Sequence, residues 1–178
     1  MKPVFLAFPL TLLFASGVHA QSSPYDCQND PVRVDIPAQT LSSALDTLSQ
    51  QTKCPISRDA DVAGLGGNAV KGRMKATDAL IALVRGTGLE GHPVRQGLAV
   101  DRTVQQEITK RADTLERRIQ EHKEAGRLPA ARAVSLNRQV AQVRRQAETY
   151  ARRQGFVSAA QKASFKRTFQ QVDAALGS

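Results

Sequence analysis

The order of apolar and polar positions divides the chain into two kinds of region. From Val32 to Ile36, apolar residues alternate with Arg33 and Asp35, the period-two signature of a strand with one buried face, and Pro37 ends the run. Leu41, Ala44, Leu45 and Leu48 follow at helical spacing and line one stripe of a helix, which needs a sheet to cover it. A second helix is predicted where Leu80, Leu83 and Val84 share a face, with Gly86 placed to take the left-handed conformation that ends helices. Gly64, Gly66, Gly67 and Asn68 lie between the two. The Lys and the Ser or Thr of a phosphate-cradling loop are missing there, so these glycines are expected to form a plain connection. The sequence of strand, helix, strand, then strand, helix and hairpin closes a small α/β module by itself.

Past residue 100 the period changes. Val104, Ile108, Leu115, Ile119 and His122 form one helical stripe; Ala133, Leu136, Val140, Val143, Ala147 and Tyr150 form a second; Phe165, Phe169, Val172 and Leu176 form a third. Gly126 and Gly155 stand at the breaks, and short turns make antiparallel packing the economical solution. An internal repeat supports this: GRLPAARAVSLNRQVAQV from Gly126 aligns with GFVSAAQKASFKRTFQQV from Gly155, sharing Gly, Ala-Ala, Ser, Arg, Gln and Val at equal offsets. The second stripe is also close to a coiled-coil seam, so pairing between chains stands beside the monomeric bundle as an alternative. The predicted class is α+β: a small βαβ-repeat N-terminal domain at 32–100, followed by an antiparallel three-helix bundle or hairpin at 101–178.

Charge follows the same division. The chain carries a formal net charge of +9. Residues 21–100 hold eight Lys and Arg against eight Asp and Glu, whereas residues 101–178 hold sixteen against eight. The basicity therefore belongs to the helices. Nucleic acid is not the expected partner, because Tyr150 is the only aromatic residue among the arginines of the second helix and base stacking needs more. Anionic lipid head groups, lipopolysaccharide phosphates or an acidic protein face fit better, and a merely solvated basic face is the plainer alternative. Arg138, Arg144, Arg145, Arg152 and Arg153 fall largely off the apolar stripe and are the candidates for such an electrostatic contact.

The first twenty residues predict export. Lys2 is followed by an almost wholly apolar run from Val4 to Ser16, and Val18-His19-Ala20 supplies a small residue for signal peptidase, so 1–20 reads as a signal peptide and 21–31 as an extension before the first strand. The run is shorter than a membrane span requires, and no later segment is as apolar. A periplasmic location follows as the expectation, with association to the outer membrane as an option. That compartment permits disulfides. Cys27 precedes the first strand and Cys54 opens the second, and parallel strands of one βαβ unit start at the same end of a sheet, so a Cys27–Cys54 disulfide is expected, with two unpaired thiols as the alternative. It would stabilise by ~3 kcal/mol on the chain-entropy account. His92 and His122 have no cysteine at ligand spacing, so no metal or other cofactor is predicted.

A resemblance adds to this reading. Ile36-Pro37-Ala38-Gln39 leading into Leu41, Ala44, Leu45 and Leu48, then Gly72, Ala79-Leu80, Leu83 and the closing Gly86-Thr87-Gly88-Leu89, resemble the short N-terminal domain shared by secretins and TonB-dependent outer-membrane transducers. Two positions depart from the pattern: Lys75 stands where the family has a Ser or Thr helix cap, and Cys54-Pro55 replaces a glycine and an aliphatic residue. The resemblance implies a domain that binds a periplasmic or envelope protein, such as an anti-sigma regulator or a component of secretion or transport. Neither a plug, a barrel nor a secretin pore is legible in the chain, so a free-standing module is expected.

Catalysis is not predicted. Asp46, Asp59, Asp61 and Asp78 are scattered through the module, its serines lack a histidine and acid to make a triad, and His92 precedes Pro93 on an expected hairpin. The function expected is that of an exported, non-enzymatic protein-interaction module, with envelope binding by the basic helices as the alternative.

Overall fold

The computed structural model describes residues 26–177. The signal peptide expected at 1–20 lies outside the described residues.

A short turn at Asp26–Gln28 precedes β1 (Pro31–Ile36). Val34 and Ile36 point into the core and Arg33 and Asp35 out of it, as the alternation requires. After β2 (Gln39–Thr40), Thr40 caps α1 (Leu41–Thr52) by accepting from the backbone N–H of Ser43, and Lys53 ends the helix in the left-handed conformation. The predicted stripe of Leu41, Ala44, Leu45 and Leu48 is fully buried. There follow β3 (Ile56–Arg58), β4 (Gly66–Gly67), β5 (Val70–Lys75), α2 (Ala76–Val84), β6 (Glu90–Val94) and β7 (Gly97–Asp101). Gly86 takes φ +91° just past α2, as its place in the sequence predicts. Lys75 caps that helix with no side-chain hydrogen bond.

The pairing of these strands differs from the expectation of one sheet. The order β1-α1-β3 predicts β1 and β3 side by side; instead β1 pairs antiparallel with β5, while β3 pairs in parallel with β7, which pairs antiparallel with β6. Every residue of β7 is buried. A strand so enclosed takes a partner on each edge, and β3 and β6 are those partners, which leaves β1 to β5. The connection at Gly64–Asn68 is also more than a link. Gly66 and Gly67 ladder with β2, and a Cβ on Gly67 would come within 2.9 Å of the Ala44 Cβ. Asn68 then donates to the carbonyls of Ala82 and Arg85, partnering the loose end of α2.

Cys27 and Cys54 are joined, with Cα atoms 5.2 Å apart. The route is not the shared sheet end. The Gln28 side chain donates to the carbonyls of Val94 and Gly97, both at 2.5 Å, and this ties the N-terminal turn to the β6–β7 hairpin beside Cys54.

Three helices complete the chain: α3 (Thr103–Glu124), α4 (Ala130–Gln154) and α5 (Ala159–Ala175). They enclose their own core of Ile108, Leu115, Ile119, Leu136, Val140, Val143, Phe165, Phe169 and Val172. The repeat holds in three dimensions. Gly126 and Gly155 both adopt positive φ, at 70° and 79°, and the equivalent pairs Leu128 and Val157, Leu136 and Phe165, Val140 and Phe169, Val143 and Val172 are all buried. The α4 seam is covered within the chain by this packing.

Candidate binding surfaces

Backbone groups at sheet edges are obligatory hydrogen-bonding groups, so each edge either has a partner or presents a place for one. In an antiparallel ladder a residue directs both its N–H and C=O to the same side. On β1 the Asp35 N–H donates to Gln51 Oε1 at 2.9 Å, and Gln51 Nε2 donates to the Asp35 carbonyl at 3.0 Å. The side-chain amide of Gln51, carried by α1, thus occupies the β1 edge as one residue of a strand would.

The β6 edge is closed by the bundle. The Gly91 N–H donates to the Gly155 carbonyl at 2.8 Å, and Pro93, next on that side, has no N–H. Gly86 N–H likewise donates to the Arg152 carbonyl at 2.8 Å. This seating needs Gly155 twice over, since its φ is positive and a Cβ there would lie 2.7 Å from the Ile81 carbonyl oxygen.

The outer edges of β3 and β5 stay open among the described residues. Leu98 N–H donates to the Pro55 carbonyl and Asp59 N–H to the Val100 carbonyl, so the alternate residues of β3, Ile56 and Arg58, face away from β7. On β5, the register pairs Lys71 with Asp35 and Arg73 with Arg33; because Asp35 faces outward on β1, the N–H and C=O groups of Lys71 and Arg73 face outward on β5.

A polar cluster sits where the α/β domain meets α3. Glu90, 2% exposed, accepts from the Gln105 backbone N–H at 3.2 Å and its side chain at 3.1 Å. Burial pushes the Glu90 carboxyl above its ordinary value, against the pull of those bonds. Burial would do the same to Asp101, but the Thr103 backbone N–H and His92, 2.9 Å away, outweigh it and hold Asp101 below its ordinary value. His92 and Asp101 are thereby bound into the junction. Among the described residues no three His, Cys, Asp or Glu side chains gather as metal ligands.

The candidate arginines divide. Arg138, Arg145, Arg152 and Arg153 are exposed. Seven-residue spacing sets Arg138, Arg145 and Arg152 in a row about 10 Å apart along the outer face of α4. Arg144 is turned inward, at 2.7 Å from Asp113 and 3.0 Å from Glu116 on α3. Tyr150 stacks on Phe165, with ring centroids 6.2 Å apart, so it belongs to the bundle core. Gln51, Gln28 and the seat of Gly155 carried no signal in the sequence, because each depends on a partner far along the chain. No helix among the described residues is long and apolar enough to cross a membrane.

No protein-family model matches the chain. It is 42% identical over 57 residues to the ferric-pyoverdine 358 receptor of Pseudomonas putida, covering 32% of this chain and 7% of that receptor. Among solved structures it is similar to the ferripyoverdine receptor of the outer membrane of Pseudomonas aeruginosa bound to ferripyoverdine, with 27% identity and a TM-score of 0.38 over 40% of this chain and 10% of that one. A structure of P. aeruginosa FpvA with a heterologous pyoverdine gives the same values. The chain thus matches a small fraction of the length of these receptors. The resemblance of its α/β domain to the N-terminal region of TonB-dependent pyoverdine receptors stands on that partial match.

Proposed function

We propose that this protein is an exported, non-enzymatic interaction module of the bacterial envelope, whose α/β domain binds a protein partner in the periplasm. The observation that carries this reading is the similarity to a ferric-pyoverdine receptor over 57 residues, at 42% identity. The domain resembles the signalling domain of TonB-dependent transducers and the N-terminal domain of secretins, and its partner is accordingly of the kind those domains engage, an anti-sigma regulator or a secretion or transport component. Strand addition is the binding mode that the domain supports. The edges of β3 and β5 are open among the described residues, and main-chain pairing gains affinity with little specialised side-chain chemistry. The Cys27–Cys54 disulfide fits an oxidising compartment.

A second arm rests on the exposed row of Arg138, Arg145 and Arg152 with Arg153, which would hold an anionic envelope surface or an acidic face of the same partner. The test is photo-cross-linking in living cells from a photoreactive residue placed at Arg58, at Arg73 or at Arg145. Discrete protein adducts from the first two positions support the reading. Adducts to lipid or lipopolysaccharide from Arg145, with none to protein from either strand position, would replace it with envelope binding.

A further inference from the structure

The β1–β5 ribbon carries a charge arrangement that its own fold does not call for. Arg33 and Arg73 stand directly opposite each other in the register. They form one of the closely spaced pairs that do not exchange backbone hydrogen bonds, where side chains approach most nearly, and like charges so placed work against the sheet. Both are exposed, and among the described residues neither has an acidic side chain in ion-pair reach. Lys71, one step along, is paired at 2.7 Å with Asp35, the only carboxylate in the two strands. The ribbon's outward face therefore shows Arg33, Arg73, Lys71 and Lys75 against Asp35. Beside these side chains run the unpaired backbone groups of Lys71 and Arg73.

Protection against edge-to-edge aggregation accounts for part of this, since basic residues on an edge strand discourage self-pairing. It does not account for Arg33 and Arg73 standing opposite each other, since like charges so placed weaken the ribbon itself, and Gln51 already blocks the β1 edge at Asp35. A second copy of the chain is a poor occupant for the same reason, because it would bring a like row of cations to the edge.

We infer that the outer edge of β5 is the docking edge of the α/β domain, and that its occupant is an extended, acidic segment of a partner protein. The segment pairs its backbone with Lys71 and Arg73 and presents carboxylates on alternate residues to Arg73 and Arg33. Alternation is required because residues of an added strand point to one face at every second position. Arg73 would meet the first such carboxylate across the new ladder, and Arg33, in line behind Arg73 one strand further at about 10 Å between backbones, extends its long side chain over the same face toward it. A depression of about 310 Å³ lined by Arg33, Lys71, Gly72 and Arg73 gives these carboxylates room. The inference rests on the protein-binding reading above and narrows it to one edge and one partner chemistry.

The test uses the full mature chain and a capped peptide alternating Glu with Val, compared with the same peptide carrying Lys in place of Glu. Hydrogen exchange and a titration are followed by nuclear magnetic resonance. The expected result is binding of the acidic peptide alone, with new protection at the Lys71 and Arg73 amides and none at Ile56 or Arg58. The double variant Arg33→Glu, Arg73→Glu should weaken binding about tenfold or more, from attraction turned to repulsion at two positions. Arg73→Pro removes an N–H that no ladder bond uses, so it should leave the fold intact and abolish binding. Equal binding of the Lys peptide, no binding of either peptide, or an unchanged affinity in the double variant overturns the inference. Protection at Ile56 and Arg58 instead also overturns it while leaving strand addition in place at β3, so the two readings fail separately.

Discussion

The α/β domain and the helical bundle solve the same problem, covering a hydrophobic core, with opposite allocations of backbone and charge. In the bundle the main chain is satisfied within each helix, and the excess of Lys and Arg stands on the outer surface. Most of its ion pairs run between helices, as Arg144 does with Asp113 and Glu116 and Arg118 with Asp173, while Arg117 and Glu121 pair within α3. In the α/β domain the strands are short and lie in separate small sheets. Outside α1, α2 and the β6–β7 hairpin its backbone is satisfied by contacts distant in sequence, and the edges of β3 and β5 are left without a partner among the described residues. A module with open main-chain groups is suited to recognising another chain. A bundle without them can contribute charge and a support, and here it also closes the β6 edge through Gly155.

The largest expected effect tests the non-local side of this comparison. Replacing Cys27 and Cys54 by Ser frees a loop of 27 residues and should cost the α/β domain about 3 kcal/mol. Calorimetry should show its transition lowered while helical circular dichroism from the bundle is retained. Equal loss in both regions would mean that the two unfold as one unit.

Gly155→Val tests the seam next. A β-branched residue at positive φ, with its Cβ against the Ile81 carbonyl, should cost about 2–3 kcal/mol and weaken the coupling between the two regions, moving their transitions further apart. The proposed boundary near residue 101 predicts that a 21–100 fragment still unfolds cooperatively, at a lower temperature than in the intact chain. A protease-sensitive fragment with no transition would place the bundle within the core of the first domain.

The junction should also report pH, with opposite signs from its two carboxylates. Glu90 has a raised folded value, so its contribution is full below its ordinary value and lost as pH rises through the raised one. Asp101 has a depressed folded value, so its contribution is present above its ordinary value and lost as pH falls through the depressed one. Glu90→Gln keeps the acceptor for Gln105 and should stabilise the protein at neutral pH while flattening the loss on the rising side. Denaturant titrations across the carboxylate range check this, and an unchanged profile would show that Glu90 is better solvated than its contacts imply.

The smallest effect on stability, and the sharpest division within one helix, concerns the arginines. Arg138→Glu, Arg145→Glu and Arg152→Glu together should alter folding by no more than about 0.5 kcal/mol, as surface changes do. They should remove salt-sensitive binding to anionic vesicles, if the row is the second contact. Arg144→Glu alone should cost about 1 kcal/mol, since it replaces two interhelical pairs with repulsion, and should leave vesicle binding unchanged. Vesicle binding by the triple variant at the level of the parent would reduce the row to a solubilising surface.

The elements themselves were legible in the sequence because their information is local. The stripe of Leu41, Ala44, Leu45 and Leu48 reports a helix face through spacing alone, and Gly126 and Gly155 mark the same turn twice because the segments after them repeat. Helical period and left-handed glycine are properties of a few adjacent residues. The pairing of Cys27 with Cys54 was also within reach, although the path that brings them together runs through Gln28 and the β6–β7 hairpin.

What the tertiary structure alone decided is which strand meets which, and therefore which edges are free. Val34 and Ile36 announce a buried strand face, but alternation is the same whether the partner is β3 or β5, because side chains report burial and the ladder is made by backbone groups common to every residue. The same limit hid the use of Gln51 as a stand-in strand, the seating of Gly155 on β6 and the inward turn of Arg144. Each is set by a neighbour remote in sequence, and a chain read residue by residue holds the chemistry of both partners but not the distance between them.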